Sequence, residues 1–370
     1  MVAQYLRELL PERLHEVARP TMFFRGQIVD DLYFTTDLSG LARYLCVEDR
    51  EIIAAQTEPA GRAGHDAAGV LATDLGDLTL QAASLANHGE RFHRLFIEPV
   101  AEKFVAGGTA DVLASHRRKV WLPLFWPETL HAAATCAPTT FEPYRPFHTV
   151  TGGGVGEIVV ALRARLAALG VQIENNGRLM SMTPVGDATD LRFERGAVRA
   201  VRPIIGTGTA ETFVAGGADY NVTKAQTALA WVEVPEADLV HAPSVMTVVD
   251  ADLPISRVSL SDPVQGGTVV VTVELRHDVE EAEMGTLAID GLRRMGLVTG
   301  PDVRVLKTAH RASFALPSRA NHERHDRARA HLNERGFDCR FVGGTEAFGA
   351  DTLSEQIIQA LIAVEELRWH

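Results

Sequence analysis

The chain has 370 residues, 48 acidic and 36 basic, with a net charge of −12 and 46% hydrophobic content. That is enough apolar material for two domains or one large two-lobed one. The negative balance and the lack of a basic stripe argue against nucleic acid and anionic membrane surfaces as partners. Cys46, Cys136 and Cys339 are scattered without C-x-x-C spacing, so neither a disulfide framework nor a zinc site is indicated. The stretch MVAQYLRELLPERLHEVARP carries charges and Pro11 where a secretory signal would be apolar, and no apolar run reaches bilayer length. The expectation is a soluble, cytoplasmic chain with no transmembrane segment.

Tyr5 to Leu14 forms a short amphipathic helix. TMFFRGQIVDDLYF reads as a hairpin with Gly26 in its turn. Asp37 or Ser39 caps a helix carrying Leu41, Tyr44 and Leu45. Residues 58–77, rich in Gly, Ala and Asp, read as a loop leading into a helix. Leu85 to Val105 is helical, with Phe92, Leu95, Phe96 and Val100 on one face and Pro99 kinking or dividing it. His88 and His93 lack a third ligand at metal spacing and read as packing or surface histidines. HRRKVWLPLFWPETL reads as a second helix. Its Trp121, Phe125 and Trp126, with Tyr144, are either core or the wall of an apolar substrate pocket.

FHTV-TGGGVGEIVVALRARLAALG-VQIENN reads as strand, glycine turn, helix, strand. Ile158, Val159, Leu162, Leu166 and Leu169 recur at helical spacing and predict one buried face. Gly170 stands where a helix ends, and Val171 and Ile173 alternate as a strand does. Gly152, Gly154 and Gly156 precede the helix and Glu174 lies roughly twenty residues on, approximating a dinucleotide fingerprint. The spacing is G-x-G-x-G, however, and Glu157 puts a negative charge in the first turn, so a tight packing turn is the favoured reading. The middle of the chain is β-rich: LRFERGAVRAVRPI is a hairpin about Gly196, ETFVAGGADYNV a strand ending at Gly216, and RVSLSD pairs with the β-branched run Thr268 to Leu275. GTLAIDGLRRMGLV is a helix and VRVLKTAHRASFALP a strand. NHERHDRARAHLNERG is a charged helix whose His322, Glu323, His325 and His331 lack H-E-x-x-H spacing and read as a solvated face. Strand residues Phe341 and Val342, the turn Gly343-Gly344, and a helix from Leu353 to Leu367 close the chain. Ile357, Ile358, Leu361, Val364 and Leu367 are expected inward, with Thr352 and Ser354 as caps. Gly343, Gly344, Thr345 and that helix N-terminus form an anion-ready corner.

Four stretches, in this order, carry a family likeness: FFRGQIVDDLYF, RFHRLFIEPVAEKFVAG, TVTGGGVGEIVVALRARLAALGVQIENNGRLMSM and FVGGTEAFGADTLSEQIIQALIAVEEL. Together they resemble the flavin-dependent amine oxidase superfamily, in its protoporphyrinogen-oxidase-like, phytoene-desaturase-like and UDP-galactopyranose-mutase-like branch. The resemblance implies a two-lobed α/β fold with mixed α+β character: a remnant of a doubly wound FAD-binding domain from 147–217 and 331–370, and a mixed-sheet substrate domain from 1–146 and 218–330. The strand–glycine–helix unit and the C-terminal segment are expected to share one sheet. The resemblance further implies FAD as cofactor, held by Gly152, Gly154, Gly343, Gly344, Thr345, Thr352 and Leu353, and oxidoreductase chemistry on a small apolar or biosynthetic substrate. It names no catalytic residue and no metal. The departures are specific. The family's N-terminal G-x-G-x-x-G unit is not in the sequence, Gly344 stands where the family has aspartate, and Leu353-Ser354 stands where it often has Met-Asp or Met-Glu. FAD is therefore expected to bind weakly or not at all to this chain alone. The alternatives are a flavin-free isomerase or cyclase of the same fold, or a non-catalytic subunit. A second copy or a partner chain could cover the place of the N-terminal unit.

Overall fold

A computed structural model describes residues 2–35, 37–63, 75, 77–138, 148–150, 154–206, 208–260, 267–349 and 352–368. In chain order its strands are β1 Leu14–Glu16, β2 Thr21–Phe24, β3 Gln27–Asp30, β4 His148–Val150, β5 Leu179–Val185, β6 Ala188–Phe193, β7 Gly196–Val201, β8 Ile204–Ile205, β9 Lys224–Pro235, β10 Val245–Val248, β11 Ile255–Leu260, β12 Thr268–Leu275, β13 Arg304–Ala315 and β14 Arg340–Phe341. The chain divides into two compact units, Met1–His15 with Val150–Thr223 and Ser318–His370, and Glu16–Thr149 with Lys224–Pro317. Among the described residues no helix is long and apolar enough to cross a membrane.

The larger unit is built on a seven-stranded sheet in the order β13-β9-β12-β11-β10-β2-β3. Its ladders are antiparallel except for β10 beside β2. β12 alternates half-buried and buried residues along its whole length. One face is therefore covered and the other half-open. Val269, Val271, Val273 and Leu275 join Met284, Ala288 and Leu292 of the helix Glu281–Arg294 in one core. Antiparallel sheets are commonly packed on one face only. The β2–β3 hairpin forms as expected, because Arg25 (φ +52°) and Gly26 (φ +74°) supply the two positive-φ residues of a tight turn. A second core gathers Met22, Phe24, Leu32, Tyr33, Phe92 and Phe96 with the surrounding helices. Lys103 ties these layers together. Its buried ammonium donates to the carbonyls of Val248 and Asp250 at 2.8 Å and of Ile255 at 3.0 Å.

Two helices differ from the sequence reading. Leu80–Phe92 is broken at Gly89 (φ +73°), continues through the π-turn His93–Ile97 and restarts as Glu98–Phe104, so of the two readings Pro99 divides the run, standing in the first turn of its last helix. HRRKVWLPLFWPETL is not one helix. A 3-10 segment Ala114–Val120 ends at Trp121 (φ +56°), an irregular stretch with Pro123 follows, and the helix Pro127–Thr135 begins after it.

The smaller unit contains the antiparallel meander β5-β6-β7 and the short parallel pair β14–β8. The expected common sheet is not formed among the described residues: β4 pairs with β1 and β14 with β8, and residues 171–177 form no strand. A strand exists only beside a partner, and none pairs with Val171 and Ile173 among the described residues. The segment before Gly216 is the helix Thr209–Ala215, not a strand. It buries Thr212, Phe213 and Ala215, and Phe213 packs on Tyr220 at 4.7 Å. The unit also includes the N-terminal helix Val2–Leu9 and residues 318–330, which the family likeness grouped with the substrate-type lobe. Leu6 and Leu10 are buried against Ile158, and Ala328 and Leu332 against Met182 and Phe213.

Helix Val155–Ala168 forms as read, with Gly170 at φ +74° beyond its end, but of its expected inward face only Ile158 is buried, with Leu162 packed beside it. Val155, Val159, Leu166 and Leu169, spaced i, i+4, i+11 and i+14, are exposed, Val159 by 50%. Ile358, Leu361 and Ile362 do the same on the helix Leu353–Arg368, Leu361 by 45%, while Ile357 and Ala363 turn inward. Ile358, Leu361 and Val364 thus lie outward where the sequence placed them inward.

Candidate functional site

In the smaller unit the chain leaves β14 at Val342 and turns at Gly343 (φ +71°) into the 3-10 segment Gly343–Thr345. The Gly343 N–H donates to the side-chain oxygen of Gln359. His325, nearly fully buried, donates from Nε2 to the Gly344 carbonyl at 2.9 Å, and burial lowers its pKa so the ring is neutral. Arg329 pairs with Glu346 at 2.9 Å. Thr345 is fully buried, and its hydroxyl has no hydrogen-bond partner among the described residues. Thr352 and Glu355 make a capping box. The Thr352 hydroxyl accepts the Glu355 N–H at 3.3 Å, and the Glu355 carboxylate accepts the Thr352 N–H at 3.1 Å and hydroxyl at 2.7 Å. Leu353 begins the helix and is exposed.

Gly154 (φ +59°) precedes the helix Val155–Ala168, and a Cβ at Gly154 or Gly156 would meet nothing within 4 Å among the described residues. Glu157 in the first turn is paired with Arg13. Gly152 and Tyr144 lie outside the described residues.

A flavin diphosphate requires free backbone N–H groups at a helix N-terminus. Here the Gly343 and Thr352 N–H groups are taken by Gln359 and Glu355, and Glu355 adds a negative charge where an anion would sit. The unpartnered Thr345 hydroxyl would suit a ligand, but the described residues do not by themselves form a diphosphate cradle.

In the larger unit the expected aromatic wall is divided. Phe125 is core, at 5.9 Å from Phe92 and 5.7 Å from His88. Trp121 is 39% exposed and lies 4.7 Å from Phe34. Trp126 is half-buried and caps Pro127–Thr135. Phe125 instead opens onto a polar relay that the sequence reading missed. Its N–H donates to His88 Nε2 at 2.7 Å, so His88 carries its proton on Nδ1 and donates to Ser84 Oγ at 2.9 Å. The Ser84 hydroxyl then donates to His93 Nδ1 at 2.8 Å, leaving the His93 proton on Nε2, a buried donor with no hydrogen-bond partner among the described residues. Burial, with His93 and Arg117 nearby, lowers the His88 pKa to about 3, so its ring is neutral. The only sequence signal was the i, i+4 spacing of Ser84 and His88; the bend at Gly89 that brings in His93 is not written in any periodicity.

No family model matches the sequence, and no curated protein matches it. Solved structures do. Reduced UDP-galactopyranose mutase is similar at a TM-score of 0.74 and 12% identity, over 99% of this chain and 80% of that one. A CLA-producing fatty acid isomerase from P. acnes is similar at 0.60 and 12% identity, over 98% and 83%. Cyclohexylamine oxidase from Brevibacterium oxydans IH-35A is similar at 0.52 and 11% identity, over 99% and 86%. The chain shares the α/β fold of these solved structures.

Proposed function

We propose that the chain is a flavin-dependent oxidoreductase of the amine oxidase and protoporphyrinogen oxidase type, acting on a small apolar or biosynthetic substrate, and that it holds FAD only when a further unit covers the apolar face of its smaller unit. The observation that carries this is the pair of exposed stripes on Val155–Ala168 and Leu353–Arg368. Apolar residues at i, i+4 and i+11, or at i, i+3 and i+4, are the pattern of a helix face that is buried, and a large exposed apolar patch marks an interaction surface. Both helices follow the glycine segments that the resemblance assigns to FAD. The covering unit would be a strand–glycine–helix unit with free N–H groups, in a partner chain, a second copy or a further segment. Once held, FAD would supply hydride transfer; this chain's part is orientation and a shielded apolar pocket.

The test is to fuse a G-x-G-x-x-G βαβ unit to the chain, add FAD, and follow bleaching of the visible flavin band anaerobically with small amines and cyclic apolar substrates. Bleaching by any of these supports the reading; a fully loaded protein that none of them reduces contradicts it. A second reading, a flavin-free isomerase or cyclase or a non-catalytic subunit, is favoured by Gly344 and by the self-capped corner at Thr352–Glu355.

A further inference from the structure

The helix Arg319–Glu334 presents two functional faces. His325 and Arg329 reach the Gly343–Glu346 corner. Arg324, Arg327 and His331, spaced i, i+3 and i+7, line instead an open groove of about 490 Å³, with Asp219 and Asn221 on its other wall. The groove is clamped at both ends. Buried Asn321 exchanges two hydrogen bonds with the Thr223 backbone, at 3.1 and 2.7 Å. Arg335 donates to the Gly216 carbonyl at 2.9 Å. Gly217 turns between the clamps at φ +87°, where a Cβ would sit 2.7 Å from the Arg335 guanidinium. A cleft pinned in this way spends little ordering free energy when a ligand enters.

Its charges are unbalanced. Arg324 uses one N–H on Asn321 at 3.0 Å, and Arg327 is 4.0 Å from Glu323, at the outer limit of an ion pair. His331 Nε2 is buried with no hydrogen-bond partner among the described residues. Among the described residues that line the groove, Asp219 is the only carboxylate against two guanidiniums, on a chain whose net charge is −12. Guanidinium forks match phosphate oxygens, and a carboxylate beside an amide suits hydroxyl groups.

We infer that this groove binds a phosphorylated polyol, a sugar phosphate or a nucleotide, with the phosphoryl group on Arg324 and Arg327, His331 Nε2 as a further polar contact, and hydroxyls on Asp219 and Asn221. The volume is in the range of small-molecule sites. The inference is independent of the flavin reading, and its probes contain no flavin.

The test is calorimetric titration of the full chain at low salt with inorganic phosphate, ribose 5-phosphate, AMP, ribose and adenosine. The three phosphate-bearing probes should bind, and the two unphosphorylated ones should not. AMP binding at least tenfold tighter than ribose 5-phosphate identifies a nucleotide site, and equal affinities a sugar-phosphate site. Arg324→Gln with Arg327→Gln should weaken ribose 5-phosphate by about tenfold or more, the loss of charged hydrogen bonds. Asp219→Asn should weaken ribose 5-phosphate and spare inorganic phosphate. Arg327→Gln alone changes an exposed side chain, so it gives the same reading, with a smaller loss, should the double variant fail to fold. Arg163→Gln, on the exposed surface of another helix, should change nothing. Absence of binding by every phosphate-bearing probe, or unchanged affinity in Arg327→Gln, overturns the inference.

Discussion

Two buried groups of the larger unit titrate with opposite consequences for stability. His88 has a folded pKa of about 3 against an ordinary 6.5. Its contribution is complete above the unfolded value and is lost as pH falls from about 6.5 toward 3. At about 1.36 kcal/mol per pH unit this amounts to about 5 kcal/mol. Asp31, fully buried, is pushed up to about 6 from 3.8, chiefly by burial, against the N–H groups of Thr35 and Phe34. Its contribution is complete below 3.8 and is lost as pH rises through 6, about 3 kcal/mol in the other direction. Between about pH 4 and 6 the two slopes cancel. Asp31→Asn keeps an oxygen for the Phe34 and Thr35 N–H groups and removes one titration. Urea unfolding should then show the variant gaining on wild type by about 1.4 kcal/mol per pH unit from pH 4 to 6, levelling off above. His88→Gln, whose amide oxygen can accept the Phe125 N–H, should gain on wild type in the acid direction below pH 6.5. Stability curves for wild type and both variants that stay parallel from pH 4 to 7 would refute the burial argument.

Lys103→Met should leave the carbonyls of Val248, Asp250 and Ile255 without their donor and cost about 1–3 kcal/mol at pH 8. Burial lowers the Lys103 pKa to about 7 from 10.5, so wild-type stability should rise with pH across that interval while the variant loses this slope; urea melts at pH 7.5 and 9.5 read both effects. Gly291→Val should cost about 1–3 kcal/mol by overpacking, since a Cβ there would lie 2.2 Å from Ile255 Cδ1 in the core; a thermal melt unchanged from wild type would deny that contact.

What was legible in the sequence was local. The β2–β3 and β6–β7 hairpins could be read because Arg25-Gly26 and Gly196 mark their turns. The helix Arg319–Glu334 showed in the charged run NHERHDRARAHLNERG. Illegible were features made by distant segments meeting. ETFVA has the β-branched look of a strand, but Phe213 finds Tyr220 and Leu332 only as a helix. Arg324, Arg327 and His331 read as a solvated face because the opposing loop, Gly216 to Thr223, comes from about a hundred residues earlier and announces itself only by two glycines. The corner at Gly343–Thr345 was located correctly as a glycine turn before a helix, yet Gln359 and Glu355, which occupy its N–H groups, are ordinary polar residues in any pattern. The stripes on Val155–Ala168 and Leu353–Arg368 show a further limit: spacing tells which face a helix buries, and not against what.

The most direct test of the account is flavin stoichiometry. The purified chain is incubated with excess FAD, passed through a desalting column, and its retained flavin is measured. The same is done for the chain fused to a G-x-G-x-x-G βαβ unit, and for that fusion carrying Val159→Lys and Leu361→Lys. The account predicts no retained flavin on the chain alone, stoichiometric flavin on the fusion, and loss of that flavin when the two stripes are charged. Stoichiometric flavin on the chain alone, or an unloaded fusion, would contradict it.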